Sequence, residues 1–304
     1  MASVTTTTPS APRAWWLAAR PRTLPLAAAP VVVGTAVALG AGGAQALPAL
    51  AALGCALALQ VAANFANDAF DAQRGADGPD RVGPPRAAAL GWLTTAQLKR
   101  GAGAALAIAG ALGASLALVA GWPVFAIGAA SIAAALAYTG GHYPFGYYGL
   151  GEPFVFLFFG VVAVVGSAWV QSLLISPEAL AASVSVGALA TAVLVVNNLR
   201  DRESDARVGK RTLAVRLGDA ATRRLYAALI ALACLAPLAS AAVFARPVLL
   251  ASLLGARLAF PLARLVLAGG PNARGTALNA VLARTAQLGL AHGVLCAIGW
   301  AWPA

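Results

Sequence analysis

Charge is scarce in this chain. Only 10% of its 304 residues are charged and 60% are hydrophobic, with a mean hydropathy of +0.79. A soluble domain carries about 25% charge. The polar surface of a soluble protein is therefore excluded, and lipid is the solvent. The three cysteines, Cys55, Cys234 and Cys296, lie singly inside apolar runs. They have no ligand-like spacing and read as small core residues. Neither histidine reads as a base: His142 falls in a loop, and His292 in an apolar run where it packs or contacts a helix. The apolar runs are long and continuous rather than alternating, so helices, not a closed barrel, satisfy the backbone in lipid.

Nine such runs are present, at about residues 24–40, 47–67, 96–120, 122–138, 152–174, 179–196, 225–244, 247–267 and 280–299. The expectation is an all-α, polytopic bundle of nine transmembrane helices around a central cavity. Residues 1–19 read as a flexible cytoplasmic lead without a cleavable signal, and 20–304 as the membrane domain. The net charge of +11 concentrates in alternate loops: Arg13, Arg20 and Arg22; Arg74 to Arg100; Arg200 to Arg224; Arg264 and Arg274. This is a topology signal rather than a nucleic-acid one. The opposite loops are almost uncharged, with Arg246 the exception. By the positive-inside rule the charged side is cytoplasmic in a cell inner (plasma) membrane, and nine spans put the C-terminus opposite.

Acids are rarer still. The chain has ten, and four of them, Asp68, Asp71, Asp77 and Asp80, fall between Asn67 and Arg81. Three more, Asp201, Glu203 and Asp205, follow Asn197. Both clusters close an apolar run and open a charged loop, so they share one side of the membrane. Positions four apart share a helix face. Asn67, Asp68 and Asp71 then form one oxygen-rich patch, and Asn197, Asp201 and Asp205 another, a weak internal repeat. Crowded carboxylates need a cation or basic groups beside them. Mg²⁺ takes oxygen ligands and bridges substrate phosphates. Two facing patches therefore fit Mg²⁺ over a diphosphate, with Arg81, Lys210 and Arg211 adding positive charge. Glu203 and Asp219 read as routine partners of arginine, and Asp80–Arg81 as either a loop-shaping pair or part of the site.

A diphosphate site opening onto lipid points to a long apolar substrate. Tyr138, Tyr143, Tyr147 and Tyr148 suit either cation–π shielding of a cationic intermediate or interfacial anchoring. Glu152, at the start of a run, is either a helix N-terminal contact or a cavity residue. Arg22, at a helix entrance on the charged side, is a candidate anchor for an acceptor carboxylate.

At these residues the sequence resembles the UbiA superfamily of intramembrane prenyltransferases, and within it the branch that prenylates 1,4-dihydroxy-2-naphthoate. The likeness runs from Arg20 onward, through RPRTLPLAAAPVVVG, NDAFDAQRGADGPDRVGPPR from Asn67, YYGLGEPFVFLFFG from Tyr147 and NNLRDRESDARVGKRTLAVRLG from Asn197. The resemblance implies Mg²⁺-dependent transfer of a polyprenyl group from its diphosphate to the naphthoate. CO₂ and diphosphate are lost, and the product is demethylmenaquinol, in menaquinone biosynthesis. It places catalytic and metal-binding roles on Asp68, Asp71, Asp201 and Asp205, with Asn67 and Asn197 beside them. Where the broad superfamily has a further aspartate, this chain has Gly75, and Asp77 takes that role in the branch's GxDxxDR pattern. Lys210 and Arg211 become the diphosphate contacts. Rival readings are another aromatic acceptor (4-hydroxybenzoate, homogentisate or haem), and a cation-coupled transporter. A transporter's charges belong near the bilayer midplane, whereas these lie at the rim. A scaffold without chemistry leaves the concentrated like charge unexplained. A CDP-alcohol phosphotransferase lacks its Asp-Gly…Ala-Arg pattern here.

Overall fold

A computed structural model describes residues 9–76 and 82–303. Asp77, Asp80 and Arg81 lie outside the described residues. Helix α1 (Ala11–Ala19) precedes nine apolar segments: α2 (Leu24–Gly40), α3 (Ala46–Gln73), α4 (Thr95–Ala120), α5 (Pro123–Ala137), α6 (Gly151–Ser172), α7 (Pro177–Arg207), α8 (Leu213–Val243), α9 (Pro247–Ala268) and α10 (Leu278–Ala301). Eight segments are long and apolar enough to cross a bilayer, the first of them counted from Ala11. The ninth, α5, is apolar but only 15 residues long. No strand occurs among the described residues. The expected all-α membrane bundle is what forms.

Within the lead, residues 11–19 form a helix. Ser10 precedes Pro12 in the first turn, and Ala14 and Ala18 pack on Phe65, Ala66 and Leu98. Short side chains at four-residue spacing let this helix lie flat on α3.

Helix starts are marked in the sequence. Thr94 and Gln97 form a reciprocal capping box at α4. Ser176 and Thr212 accept from the third residue of α7 and α8. Small residues set the closest approaches, as lipid-embedded packing demands. A Cβ on Gly160 would stand 2.8 Å from the Cα of Gly187, so α6 and α7 touch backbone to backbone. Around this contact α6 runs as a π-helix over Phe156–Val162.

The principal pairings are α3 on α4, α7 on α8 and α10 on α2. The largest buried cluster joins α7, α8, α9 and α10 through Leu189, Val195, Tyr226, Ile230, Leu262 and Leu288. It makes α7 the central element, and the second acidic cluster is the end of that helix. His292 is buried in the same half, 2.7 Å from Ser185, consistent with core packing.

Candidate active site

A cavity of about 910 Å³ opens between α2, α3, α4, α5, α6 and α7. Most of its wall is apolar, from Leu26 and Val31 to Phe158 and Val193. Its polar end gathers Arg20, Arg22, Asn67, Asp71, Asn197 and Lys210.

The first cluster ends α3. Asp68 is buried and accepts from the backbone N–H of Ala87 (3.0 Å) and Ala88 (3.2 Å). It ties down the loop that follows α3. Asp71, one turn on, accepts from Arg86 (3.1 Å) and from the Tyr147 hydroxyl (2.8 Å). The Asn67 side-chain oxygen accepts from Thr139 (2.8 Å), whose carbonyl takes a hydrogen bond from Arg74.

The second cluster ends α7. Arg200 grips both oxygens of Asp201 (2.8 and 2.5 Å), and also donates to Asn197 (2.9 Å) and to Asn279 on α10 (2.9 Å). Asn279 in turn donates to the Val82 carbonyl, in the loop after α3 (3.2 Å). Asp205 lies 3.5 Å from Lys210. Its Oδ2 is buried and takes no hydrogen bond among the described residues.

Tyr147 joins the two clusters. Its hydroxyl donates to Asp71, and the ammonium of Lys210 sits over its ring at 5.0 Å. Burial, and then the neighbouring Asp71 carboxylate, hold its phenol well above the ordinary tyrosine range, so it remains a donor. The short helical turn Phe145–Tyr148 that carries it ends at Gly149 (φ 74°), where a side chain would be strained and would meet Arg216. The Arg211 backbone N–H donates to the Tyr147 carbonyl (2.8 Å), which pins this turn to the loop after α7.

The sequence-derived candidates thus separate. Asn67, Asp71, Asn197, Lys210, Arg22 and Tyr138 line the cavity. Arg22 is exposed at its rim, where α2 begins. Asn64 of α3 fixes that junction by donating to Ala19 and Thr23. Asp201 and Asp205 reach the cavity through Arg200 and Lys210, which line it. The Arg211 side chain is exposed, and this residue serves through its backbone. Tyr143 lies away from the cavity, 61% exposed and stacked on Tyr148 at 4.0 Å. Asp219 pairs with Arg223 (2.6 Å) and Glu203 lies 3.5 Å from Arg202, as routine ion pairs.

Sequence reasoning passed over Arg86, Arg200 and Asn279. The first two stood inside the quoted motifs, and their signal was a lone cation beside scarce acids. Asn279 had no local signal, because its partners lie 79 and 197 residues away.

Comparison with known proteins agrees with this architecture. Residues 27–284 match the UbiA prenyltransferase family. The chain is 49% identical over 219 residues to a 1,4-dihydroxy-2-naphthoate octaprenyltransferase of Mycobacterium tuberculosis, covering 72% of this chain and 75% of that one. It is 43% identical over 232 residues to the protein of the same name from Escherichia coli, covering 74% and 75%. Among solved structures, a UbiA homolog from Aeropyrum pernix superposes with a TM-score of 0.69 at 17% identity, over 90% of this chain and 96% of that one. A UbiA homolog from Archaeoglobus fulgidus, bound to DMAPP and Mg²⁺, superposes at 0.55 and 17%, over 90% and 98%. The fold, the paired acidic helix ends and the extent of these matches lead to one conclusion: the chain belongs to the UbiA prenyltransferase family.

Proposed function

We propose that this protein transfers a polyprenyl group from polyprenyl diphosphate to 1,4-dihydroxy-2-naphthoate, giving demethylmenaquinol, diphosphate and CO₂ for menaquinone biosynthesis. The observation that carries the chemistry is the meeting of both acidic helix ends, through Tyr147, at the polar end of an otherwise apolar cavity. The two relatives named above, at 49% and 43% identity, support the choice of acceptor.

The donor set fits a hard cation. It is all oxygen: Asn67, Asp68, Asp71, Asn197, Asp201 and Asp205, with Asp77 the further candidate in this reading. Asp205 Oδ2 is buried and without a hydrogen-bond partner, a position a cation satisfies. Among the described residues no three acidic, histidine or cysteine side chains form a metal centre by themselves. Mg²⁺ takes one or two carboxylates and fills its shell with waters and substrate phosphate. Mg²⁺ bound there supplies charge neutralisation of the diphosphate leaving group.

The chain's own residues do the rest. Lys210, with Arg81 in the first motif, draws the diphosphate to the polar end. As the allylic C–O bond breaks, its electron pair goes to the diphosphate, where these cations meet the new charge. Tyr147 and Arg86 hold Asp71 in one orientation, and Arg200 does the same for Asp201. The apolar wall takes the prenyl tail, and Tyr138 with Phe145 shields the allylic cation. The carboxylate-bearing ring carbon bonds to the prenyl carbon. The C–CO₂ bond then breaks, and its electron pair restores the aromatic ring. Arg22 is our candidate anchor for the acceptor carboxylate. Both acidic clusters face the cytoplasm of a cell inner membrane in this reading, since the basic loops gather on their side.

The deciding experiment offers the purified protein in detergent several aromatic acids with one prenyl diphosphate and Mg²⁺. The naphthoate is expected to give a prenylated product lighter by CO₂. Product with 4-hydroxybenzoate or homogentisate instead would reassign the acceptor, and no diphosphate release with any of them would overturn the reading.

A further inference from the structure

Glu152 opens α6 and is 5% exposed, and among the described residues no cation pairs with it. One of its oxygens accepts from the side-chain amide of Asn198 (2.8 Å); the other is buried and takes no hydrogen bond from any other described residue. The reaction derived above uses neither residue. A buried carboxylate without a counter-charge is expensive to keep.

The geometry gives it a task. A carboxylate only accepts, so the Asn198 amide must turn its NH₂ to Glu152 and its Oδ1 away. Asn198 lines the cavity, and among the described residues its Oδ1 accepts no hydrogen bond. Also on the cavity wall, at Gly151 next to Glu152, the Tyr138 hydroxyl makes no hydrogen bond among those residues. Gly151 makes room for both helices, since a Cβ there would stand 3.2 Å from the Tyr138 hydroxyl and 3.2 Å from Leu194 of α7. The wall at Tyr138 is aromatic: Tyr138 meets Phe145 edge-on at 5.4 Å, and Phe145 stacks on Phe154 at 4.1 Å. An apolar tail gains nothing from two polar atoms in such a wall. A hydroxylated planar ring satisfies both.

We propose that Asn198 Oδ1 and the Tyr138 hydroxyl receive a ring hydroxyl of the aromatic acceptor, with Glu152 as the positioning residue that locks the Asn198 amide. This rests on the prenyltransferase reading given above. It adds the part of the site that fixes how the ring lies, apart from any contact to its carboxylate.

The test uses the full-length protein in detergent, with 1-hydroxy-2-naphthoate and 4-hydroxy-2-naphthoate as competitive inhibitors of 1,4-dihydroxy-2-naphthoate. In the unaltered protein, the analogue lacking the hydroxyl that meets Asn198 should bind roughly tenfold more weakly than the other, the worth of one buried hydrogen bond. Asn198→Leu should erase that difference, leaving the KM for prenyl diphosphate unchanged. Glu152→Gln lets the Asn198 amide face either way, so the difference should narrow; a purely structural role would lower stability without changing the ratio. Equal binding of both analogues to the unaltered protein, or an undiminished difference in Asn198→Leu, overturns the proposal. If Asn198→Leu fails to fold, the unaltered protein and Glu152→Gln still decide it. A protein that prenylates no aromatic acid at all would sink the functional reading, which is a separate outcome.

Discussion

The two ends of the bundle solve the same problem by different means. Both must tie helix ends and loops together where the bilayer stops. At the far end the ties are mostly neutral. Gln171 is buried, donates to Thr35 and to the Ser167 carbonyl, and receives Gln45. The guanidinium of Arg246 closes the same end on the carbonyls of Trp300 and Trp302. At the other end the ties are ionic: Asp71 with Arg86, Asp201 with Arg200, and Asp205 with Lys210. Neutral amides suffice to fasten loops. Buried ion pairs are a poor way to gain stability, because desolvation offsets their attraction. Their concentration at one end therefore marks the end where charge has to be handled, and Asp71, Arg86, Arg200 and Lys210 line the cavity.

That contrast can be broken by experiment. The largest effect is expected from Asp71→Asn and Asp201→Asn, each of which should lower Mg²⁺-dependent diphosphate release by about a thousandfold or more. Each variant also leaves a buried arginine without its carboxylate, so unfolding free energy should fall by about 3 kcal/mol as well, and full activity in either variant would remove the acids from the chemistry. Next comes Arg200→Met, which leaves Asp201 buried without its fork. It should cost about 3 kcal/mol in unfolding free energy. Arg200→Lys should recover part of that, and no loss in Arg200→Met would mean that the pair is decorative.

Tyr147→Phe removes one hydrogen bond to a carboxylate and keeps the ring under Lys210. Turnover should fall roughly tenfold, about 1.5 kcal/mol. Because the folded protein raises this phenol's pKa, its contribution to stability is complete below about pH 10 and declines as pH rises beyond it. Tyr147→Phe should then lose less stability than the unaltered protein between pH 9 and about pH 11. The smallest effect belongs to the far end. Gln171→Leu should cost about 1 kcal/mol in stability and leave kcat and KM unchanged. A fall in turnover there would show that the two ends are coupled.

Much of this was legible beforehand. Long apolar runs are a local property, and the nine segments follow from them almost span for span. The clusters around Asn67 and Asn197 announced themselves because acids are so rare elsewhere. Their equal spacing nevertheless did not reveal their partners. Asp71 and its counterpart Asp201 each meet an arginine, but Arg86 comes from the following loop, 15 residues on, whereas Arg200 is the adjacent residue. Four aromatic residues near Tyr138 looked interchangeable, yet Tyr147 bridges the clusters, Tyr138 lines the cavity, and Tyr143 and Tyr148 stack outside it.

Sequence alone determined the solvent, the helices and the side on which charge gathers. These depend on hydropathy summed along the chain, and need no knowledge of what packs on what. Tertiary structure decided which carboxylate faces the cavity, which cation holds it, and that Glu152 stands behind Asn198. Those outcomes depend on the direction in which each helix end presents its side chains, and on hydrogen bonds such as Glu152–Asn198 and Asn279–Val82 that join residues 46 and 197 positions apart.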